Sequence, residues 1–371
     1  MSETRRGVLL LEPFYGGSHK AFVDGLKRHS RHRVEALTLP DRFWKWRMRG
    51  AAILMAERMG TLRRPPDVVL ASDMLSVADL KALLGPAAPP ILLYMHENQL
   101  SYPRPENERE DLQFAFTNVT SCLAAEKVLF NSEFHRETFL KALPALLRMM
   151  PDCRPKGIPE RIREKSSVIP LGCDLAAFDP IRKPASRPGP PTILWNHRWE
   201  FDKAPEVFFE ALFRLQADRL RFKLIVCGET HQIKPKIFLE AKRRLRRRWV
   251  HFGFEPSRAR YARWVSESDI AVSTAIQENF GLSVVEAMYA GCYPLLPRRL
   301  SYPEILPAEF HAGHLYDGPE DLCARLRTLL REGLPTTFDP ERLRRRMAVY
   351  DWRAMARRYD DLFDQCGRRA L

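Results

Sequence analysis

The sequence contains no run of about 20 uninterrupted apolar residues, the length that a membrane-spanning helix requires. Arg5 and Arg6 lead directly into a strand-like segment, so the N-terminus lacks the apolar region of a cleavable signal. The seven cysteines form no C-x-x-C pair, which argues against a disulfide framework and against a zinc module. These absences predict a cytoplasmic protein with no stable membrane association and with its cysteines as buried thiols.

Positive charge, by contrast, is in excess. The sequence contains 60 lysines and arginines against 46 aspartates and glutamates, a formal net charge of +14. A surface of that charge attracts polyanions, so nucleic acid and anionic membrane are both candidate partners. With 371 residues, of which 45% are hydrophobic, the chain can form two ordinary cores.

Strand-like apolar runs alternate with amphipathic helical stretches in both halves of the chain, the pattern of a parallel sheet covered by helices. The segment PIRKPASRPGPP at 180–191 separates the halves, because neither a helix nor a central strand tolerates its five prolines. The pattern predicts an α/β protein with two Rossmann-like domains. Their predicted bounds are residues 1–180 for the N-terminal domain, 181–191 for the linker, 192–348 for the second domain and 349–371 for a C-terminal helix.

The most specific motif is QENFGLSVVEA at 277–287, in which seven residues separate Glu278 from Glu286. It lies where a predicted strand is followed by a helix, and open α/β sheets bind ligands at the carboxyl ends of their strands. The helix N-terminus offers N–H groups to a phosphate, and Gly281 allows the backbone to approach closely. Glu278 is suited to sugar hydroxyls and Glu286 to a ribose diol. The alternative is a capped helix with a solvated glutamate.

This motif resembles the donor site of the retaining glycosyltransferases of family 4. The resemblance implies a GT-B fold, in which two facing Rossmann-like domains have a cleft between them and the C-terminal helix returns to the first domain. It also implies that two cations of NHRWEFDK, the segment at 196–203, bind the donor diphosphate without a metal or another cofactor. The implied donor-binding residues are Arg198, Lys203, Gly253, Phe254, Glu278, Asn279, Phe280, Gly281, Leu282 and Glu286. Taken alone, the two cations are more often solvated charges, and HFGF at 251–254 is equally an ordinary strand and turn.

Two segments of the first domain are candidates for its side of the site. EPFYGGSHK at 12–20 is a glycine loop that opens a helix, but it departs from G-x-G-x-x-G and is therefore no dinucleotide fingerprint. HENQ at 96–99 follows an apolar strand, again at a carboxyl end. The predicted acceptor-side residues are Gly16, Gly17, Ser18, His19, His96, Glu97 and Asn98. A lone histidine is more often structural, yet the polar residues after His96 favour a site, and the predicted catalytic residues are His96, Arg198, Lys203 and Glu278.

Five segments together carry a narrower resemblance: EPFYGGSHKAF, HENQLSYP, FNSEFHR, NHRWEFDK and QENFGLSVVEA. They resemble the tRNA-queuosine α-mannosyltransferases. That resemblance implies GDP-mannose as the donor substrate and, as the partner, tRNA(Asp) carrying queuosine in its anticodon. It implies transfer with retention at the anomeric carbon, and we favour a front-face route in which the leaving diphosphate helps to deprotonate the acceptor hydroxyl.

Basic clusters fit such an acceptor. RFWKWRMR at 42–49 interleaves aromatic rings with cations, a composition that stacks on unpaired bases and neutralises phosphates. At helical spacing the same residues could instead bury Phe43 and Trp46 and leave the arginines in solvent. KRRLRRR at 242–248 and RRR at 344–346 are stronger charge runs, for which a solvated face is the alternative. The predicted tRNA-binding residues are Arg42, Lys45, Arg47, Arg244, Arg246 and Arg247.

Two other functions compete with this interpretation. One is a membrane-surface family 4 glycosyltransferase that uses its basic face on a lipid acceptor. The other is a non-catalytic RNA-binding protein on a transferase fold, against which the intact Glu278, Arg198 and Lys203 argue.

Overall fold

The computed structural model of the protein describes residues 5–103, 111–181, 189–229 and 235–366. It divides the chain into two compact units. Residues up to Cys173, together with those from Trp352 onward, form the first, and Asp174–Asp351 form the second. Each unit is built on a six-stranded parallel sheet, which confirms the predicted α/β class. Of the predicted linker, residues 182–188 lie outside the described residues.

In the first unit the sheet order is β2-β1-β3-β4-β5-β6. Its strands are β1 Gly7–Tyr15, β2 Arg33–Pro40, β3 Val68–Ser72, β4 Ile91–Met95, β5 Lys127–Phe130 and β6 Ser166–Val168. Its helices are α1 Gly17–His29, α2 Trp44–Gly60, α3 Val77–Leu84, α4 Leu112–Ala124, α5 Glu133–Arg148 and α6 Ile158–Glu164, with a 3-10 turn at Gly85–Ala87. Every residue of β3 and β4 is buried, because helices cover both faces of a parallel sheet.

In the second unit the sheet order is β12-β11-β10-β7-β8-β9. Its strands are β7 Thr192–Asn196, β8 Lys223–Cys227, β9 Trp249–Gly253, β10 Ile270–Val272, β11 Tyr293–Pro297 and β12 Leu315–Tyr316. Its helices are α7 Pro205–Ala217, α8 Ile237–Arg244, α9 Arg258–Ser266, α10 Leu282–Tyr289, α11 Tyr302–Ile305, α12 His311–His314, α13 Gly318–Glu332 and α14 Pro340–Met347. Among the described residues of this unit, 3-10 turns lie at Leu175–Phe178, Phe201–Lys203, Ala308–Phe310 and Ala348–Tyr350.

The last helix, α15 Trp352–Cys366, packs on the first unit. The Trp352 indole lies against the backbone of Gly25 and Gly172, where an added Cβ would come within 2.0 and 2.2 Å of it. Its backbone N–H donates to the Cys173 carbonyl at 3.1 Å, and the Tyr359 hydroxyl donates to the Pro170 carbonyl at 3.0 Å. Large side chains can occupy this position because both glycines lack a side chain.

The boundary between the units lies at Cys173, before the proline-rich segment. The 3-10 turn that follows belongs to the second unit, because Arg258 donates to the Asp174 carbonyl at 2.7 Å and Tyr289 donates to Asp179 at 2.7 Å. The break in packing therefore precedes the break in composition on which the sequence-based boundary depended.

The structure bears on two expectations from the sequence: the lack of a membrane-spanning helix and the burial of the cysteines. Among the described residues, no helix is both long and apolar enough to cross a membrane. Six of the seven cysteines are buried free thiols, but Cys153 is exposed, so the expectation of buried thiols was wrong at that position. Cys153 lies in the loop between α5 and α6.

Candidate functional site

The donor motif lies at the point where the sheet order of the second unit reverses. β7 and β10 are neighbours there, and the chain leaves them in opposite directions along the sheet. Open α/β sheets bind ligands outside the carboxyl ends of such strands. His197–Lys203 follows β7, and Gln277–Gly281 follows β10. The topology therefore brings together the two segments that the sequence predicted to bind the donor.

Lys203 is a buried cation among oxygen atoms. Its Nζ donates to the Gln277 carbonyl at 2.7 Å and lies 3.3 Å from an oxygen of Glu278 and 3.1 Å from an oxygen of Asp202. Burial alone would lower its pKa, but the charges of Glu278 and Asp202 outweigh that effect and raise the pKa above its ordinary value. Lys203 thus keeps its charge in a largely dry environment, where electrostatic interactions are strongest.

Arg198 reaches the same carboxylate from the solvent side. Its guanidinium lies 3.6 Å from Asp202 and 3.4 Å from Glu200, and nearly half of its side chain is exposed. Asp202 therefore links the exposed cation to the buried one. Sequence analysis did not single out Asp202, although its position next to Lys203 in the segment was a signal.

The loop before α10 is held by side-chain hydrogen bonds. Gly281 adopts a φ of +97°, in the left-handed region that glycine favours. The Ser301 hydroxyl donates to the carbonyls of Glu278 and Phe280 at 3.2 and 3.0 Å, and Gln277 donates to the side chain of Asn279 at 3.1 Å. Leu282 is the first residue of the helix, whose first N–H groups are available to an anion. Glu278 therefore projects from a fixed loop.

Glu286 is in a different environment from Glu278. It is 3% exposed, and it accepts hydrogen bonds from Arg258 at 2.7 Å and from the Tyr261 hydroxyl at 2.8 Å. Asn196 donates in turn to the Tyr261 oxygen at 3.0 Å. A ribose diol would have to use the remaining lone pairs of Glu286 or replace one of these donors. Sequence analysis missed Arg258 and Tyr261, which lie on a helix without a motif of its own.

Phe254 lies at the carboxyl end of β9 with 58% of its side chain exposed. Gly253 before it has a φ of +138°, and its carbonyl is 3.0 Å from the His251 ring, which stacks on Trp264. A large aromatic ring exposed at this edge of the sheet can pack against a flat, partly apolar group such as a nucleobase.

The corresponding edge of the first unit contains a buried histidine pair. His19 and His96 have ring centroids 4.0 Å apart at an angle of 31°, and His19 Nδ1 is 2.9 Å from Glu12. Burial alone would lower the pKa of His19, but Glu12 together with Asp73 and Glu97 raises it to about 9. Burial and the neighbouring charge of His19 hold the pKa of His96 well below its ordinary value. The stack thus pairs a charged imidazole with a neutral one.

Backbone contacts fix His96 in place. Its N–H donates to Asp73 at 2.8 Å, and its carbonyl accepts from Asn131 at 2.9 Å. Burial raises the pKa of Asp73 to about 7. Asn98 is fully buried and accepts from the N–H groups of Leu100 and Ser101, so it shapes the turn after β4.

The other predicted acceptor-side residues lie around this pair. Gly16 lies against Asp41, since a Cβ on Gly16 would come within 1.9 Å of that carboxylate, and Gly17 has a φ of +50°. Ser18 is exposed in the first turn of α1, and Glu97 accepts from Gln99 at 3.0 Å. The β1–α1 loop and the segment after β4 therefore meet at one edge, as predicted from their positions after strands.

Glu12, His19 and His96 are also close enough together to be considered as metal ligands. Their potential ligand atoms all lie within 4.8 Å of one another. However, Glu12 and His19 contact each other directly, and the two imidazoles are stacked rather than directed at a common point. Metal-binding histidines direct in-plane nitrogen lone pairs at the ion. The geometry fits an ion pair with a stacked ring better than it fits a metal centre.

The two main basic clusters lie at opposite edges of their sheets. Arg42, Lys45 and Arg47 follow the carboxyl end of β2, whereas Arg246 and Arg247 precede β9 and therefore lie at an amino end. Arg244 is ion-paired with Glu240 at 2.7 Å and stacks on Phe213, with its guanidinium 3.6 Å from the ring centroid. The third run is largely ion-paired, with Arg344 on Asp179 and Arg346 on Glu309.

The structure also decides between the two interpretations of the segment at 42–49. Phe43 and Trp46 are 67% and 75% exposed, so the alternative in which they are buried is wrong. Trp44 and Met48 supply the inward face instead, packing with Phe114.

Comparison with known sequences covers nearly the whole chain. Residues 7–173 match the family described as tRNA-queuosine alpha-mannosyltransferase N-terminal, and residues 178–350 match glycosyl transferases group 1. The tRNA-queuosine alpha-mannosyltransferase of Drosophila melanogaster is 36% identical over 92% of this chain and 91% of its own length. A GDP-mannose:cellobiosyl-diphosphopolyprenol alpha-mannosyltransferase of Komagataeibacter xylinus is 27% identical over 52% of this chain and 49% of its own.

Solved structures show the same fold at much lower identity. Sucrose-phosphate synthase from Thermosynechococcus elongatus has a TM-score of 0.74 at 15% identity, covering 98% of this chain and 100% of its own. Anabaena HepE, solved in complex with UDP, has a TM-score of 0.69 at 14% identity, covering 97% of this chain and 100% of its own. The fold is GT-B, as predicted.

Proposed function

This glycosyltransferase belongs to the family of tRNA-queuosine α-mannosyltransferases, and we propose on that premise that it transfers mannose from GDP-mannose to queuosine in the anticodon of tRNA(Asp). The reaction proceeds with retention, takes place in the cytoplasm and needs no stable membrane association. The partners are then a tRNA and a nucleotide sugar, in agreement with the excess of positive charge.

The observation that carries the proposal is the environment of Lys203. A cation that is buried at the sheet reversal point, and that keeps its charge between Glu278 and Asp202, is suited to a departing diphosphate. Arg198, which is more exposed and contacts the same oxygen of Asp202, supplies the second charge. Two fixed cations perform the electrostatic task of a metal ion, so the proposed reaction needs no metal.

In the proposed step, the bond between the anomeric carbon and the diphosphate oxygen breaks while a queuosine hydroxyl oxygen bonds to that carbon. The hydroxyl proton passes to an oxygen of the leaving diphosphate, which takes the electron pair. Glu278 accepts hydrogen bonds from the sugar hydroxyls. Phe254 packs against the guanine base, and the first N–H groups of α10 face the phosphates.

His96 has a positioning role in this proposal. It orients the mannosyl group, and its neutral ring can accept or donate one hydrogen bond to a sugar hydroxyl. The His19 ring stacks on the His96 ring, and Glu12 holds His19 by an ion pair.

The test incubates the protein with tRNA that carries queuosine and with a panel of nucleotide sugars, followed by mass spectrometry of the digested nucleosides. We expect a hexose on queuosine with GDP-mannose alone, and none on tRNA with guanosine at that position. Transfer to a polyprenyl diphosphate sugar but not to tRNA would support the membrane-surface alternative. No transfer and no binding of any nucleotide sugar would leave only a non-catalytic protein.

A further inference from the structure

Two aromatic rings are exposed on the segment that begins α2. We define the aromatic platform as Arg42–Arg49, which includes Phe43 at 67% and Trp46 at 75% exposure. Exposure of two large rings within four residues is unusual, because each would gain free energy from burial. Such a patch often marks a binding surface.

The backbone holds these rings in solvent by a strained conformation. Phe43 has φ 56° and ψ 49°, the left-handed region, which is a genuine outlier for a bulky side chain. The Phe43 carbonyl accepts from the N–H groups of Trp46 and Arg47 at 2.9 and 3.1 Å, so the strain is fixed by the first turn of α2. Strain of this kind persists only where the surrounding structure enforces it, and it is common at functional sites.

Buried neighbours supply that enforcement. Trp44 packs on Phe114 with centroids 5.1 Å apart, and Met48 is buried beside Met74. Anchoring Trp44 and Met48 inward leaves the intervening residues on the outside of the helix. The platform is therefore anchored to the first unit by the buried contacts of its inner face.

Charge on the platform is of one sign. Arg42, Lys45, Arg47 and Arg49 lie within eight residues, and the sequence has no acidic residue from Arg42 to Ala56. The guanidinium of Arg42 lies 5.9 Å from the Phe43 ring and that of Arg49 lies 5.6 Å from Phe114. Flat rings alternating with cations complement the bases and phosphates of a single strand.

The platform is continuous with the candidate site in the same unit. β2 pairs with β1 at Pro40 and Tyr15, and Asp41 touches Gly16 of the β1–α1 loop. Phe14 packs, like Trp44, on the buried cluster of Met48, Met74 and Phe114. Its ring also meets the His19 ring edge-on, with centroids 5.9 Å apart. The platform and the histidine pair therefore lie at the same carboxyl edge of the sheet.

We propose that the aromatic platform binds unpaired bases of an RNA loop, with Trp46 and Phe43 stacking on bases while Arg42 and Lys45 contact phosphates. The proposal rests on the proposed function, because an anticodon loop presents unpaired bases beside the nucleotide that reacts. Single-stranded RNA fits better than a membrane, since the rings alternate with cations in one turn. The exposed aliphatic residue of α2, Ile53, is followed in the same helix by the charged residues Glu57 and Arg58.

The test measures binding of an anticodon stem-loop with guanosine in place of queuosine, so that it does not depend on transfer. Phe43→Ala and Trp46→Ala are each expected to raise Kd about tenfold, the scale of one lost base stack. Trp46→Tyr should restore most of the affinity. Ile53→Ala, which truncates a side chain 58% exposed on the same helix, is the matched control and should bind as wild type. The fluorescence of Trp46 should be quenched by the loop.

Four further results would support or overturn the proposed binding of RNA by the aromatic platform. A blunt duplex of the same length should bind wild type and the variants equally, since its bases are not available for stacking. Equal Kd values for the loop in wild type and both alanine variants would overturn the platform. The platform would also be overturned if both alanine variants lost binding to phosphatidylserine vesicles while their RNA affinity stayed unchanged, because that result would indicate a membrane surface. Loop binding that depends on Trp46, in a protein that transfers no sugar, would preserve the platform and reject the proposed function.

Discussion

At the scale of single residues, charge in this protein is controlled by burial and by pairing. Lys203 remains a cation because Glu278 and Asp202 compensate for the cost of its burial. His197 is also buried, and burial together with the charge of Lys203 lowers its pKa to about 3, because the opposing effect of Asp202 is smaller. Lys203 is therefore charged and His197 neutral, although both side chains are buried.

Removing that charge should stop transfer. We expect Lys203→Ala and Glu278→Ala each to lower kcat by about 100-fold or more. Lys203 contacts the charge that develops on the leaving group and Glu278 contacts the sugar hydroxyls, and both contacts matter most in the transition state. Lys223→Ala, at an exposed lysine of β8, is the matched control. Circular dichroism checks folding, because the loss of Lys203 leaves two carboxylates without their shared partner. Near-normal turnover in a folded variant would disprove the donor-site assignment.

The raised pKa of His19 should appear as a pH dependence of stability. The stabilisation from its proton is complete below the unfolded-state pKa of about 6.5 and is lost as pH rises through the folded-state value, about 9. Between pH 7.5 and 9.5 the free energy of unfolding of the first unit should fall by about 2 kcal/mol from this group. Asp73 contributes little in that range, because its pKa of about 7 makes its effect fall mainly at lower pH.

Urea unfolding across that pH range checks the assignment. His19→Gln should flatten the fall, whereas His29→Gln, in the same helix and half-buried, should leave it as in wild type. An unchanged pH profile for His19→Gln would show that the Glu12 pair does not hold a proton on His19.

At the scale of elements, the start of α10 determines the geometry of the donor site. The helix begins at Leu282, because Gly281 turns the chain through the left-handed region just before it. The short loop between β10 and α10 is thereby fixed by Ser301, and Glu278 and the helix N-terminus are positioned together.

Substitution of this glycine should impair both stability and donor binding. Gly281→Ala forces φ near +97° on a residue with a Cβ, which would also lie 3.2 Å from Ile305. We expect a loss of about 1–2 kcal/mol and a raised KM for the nucleotide sugar. Gly333→Ala has a similar φ, +87°, and open space around its Cβ, so it should lose stability without a change in KM. A KM that rises equally in both variants would contradict a specific role of Gly281 in donor binding.

At the scale of the whole molecule, the proposed chemistry depends on protein charges and not on a metal ion. Activity should therefore survive EDTA in the transfer assay, because Arg198 and Lys203 supply the positive charge at the leaving group. Metal analysis of the purified protein should find no ion that survives dialysis. Loss of turnover on chelation, with recovery on adding Mg²⁺ or Mn²⁺, would disprove the two-cation account and redirect attention to Glu12, His19 and His96.

The distribution of charge should also determine how RNA affinity depends on salt. Counterion release predicts a log-log slope that approaches the number of phosphates neutralised, about three to six here. We expect Arg42→Glu with Lys45→Glu to flatten the slope, because this cluster lies at the carboxyl edge beside the site. Arg246→Glu with Arg247→Glu, at an amino edge, should flatten it less. Arg244 is unsuitable for this test since it pairs with Glu240.

Titration of tRNA against salt for wild type and both double variants measures this difference. The KM for the nucleotide sugar should stay the same in both. An equal change of slope in the two variants would show that placement relative to the sheet edges does not matter, and identical slopes in all three proteins would show that both clusters are solvated faces.

The sequence by itself determined the features that depend on residues close together along the chain. Alternating apolar runs predicted a parallel sheet covered by helices in each half of the chain, since periodicity reports which face of an element is buried. The QENFGLSVVEA motif predicted a strand, a turn and a helix, because a glycine and a helix N-terminus affect the backbone only over a few neighbouring residues. The resemblance of five short segments likewise predicted the family to which the chain belongs.

Only the tertiary structure decided which distant residues meet. Parallel strands carry Glu12, Asp73 and His96 to one edge, and no local pattern states which of their side chains will touch. In the same way, Arg258 and Tyr261 became partners of Glu286 through the packing of α9 beside α10. The periodicity at 42–49 was compatible with either face being buried. Contact with Phe114, more than sixty residues away, turned Trp44 inward and left Phe43 and Trp46 in solvent, because burial free energy depends on the available partner surface.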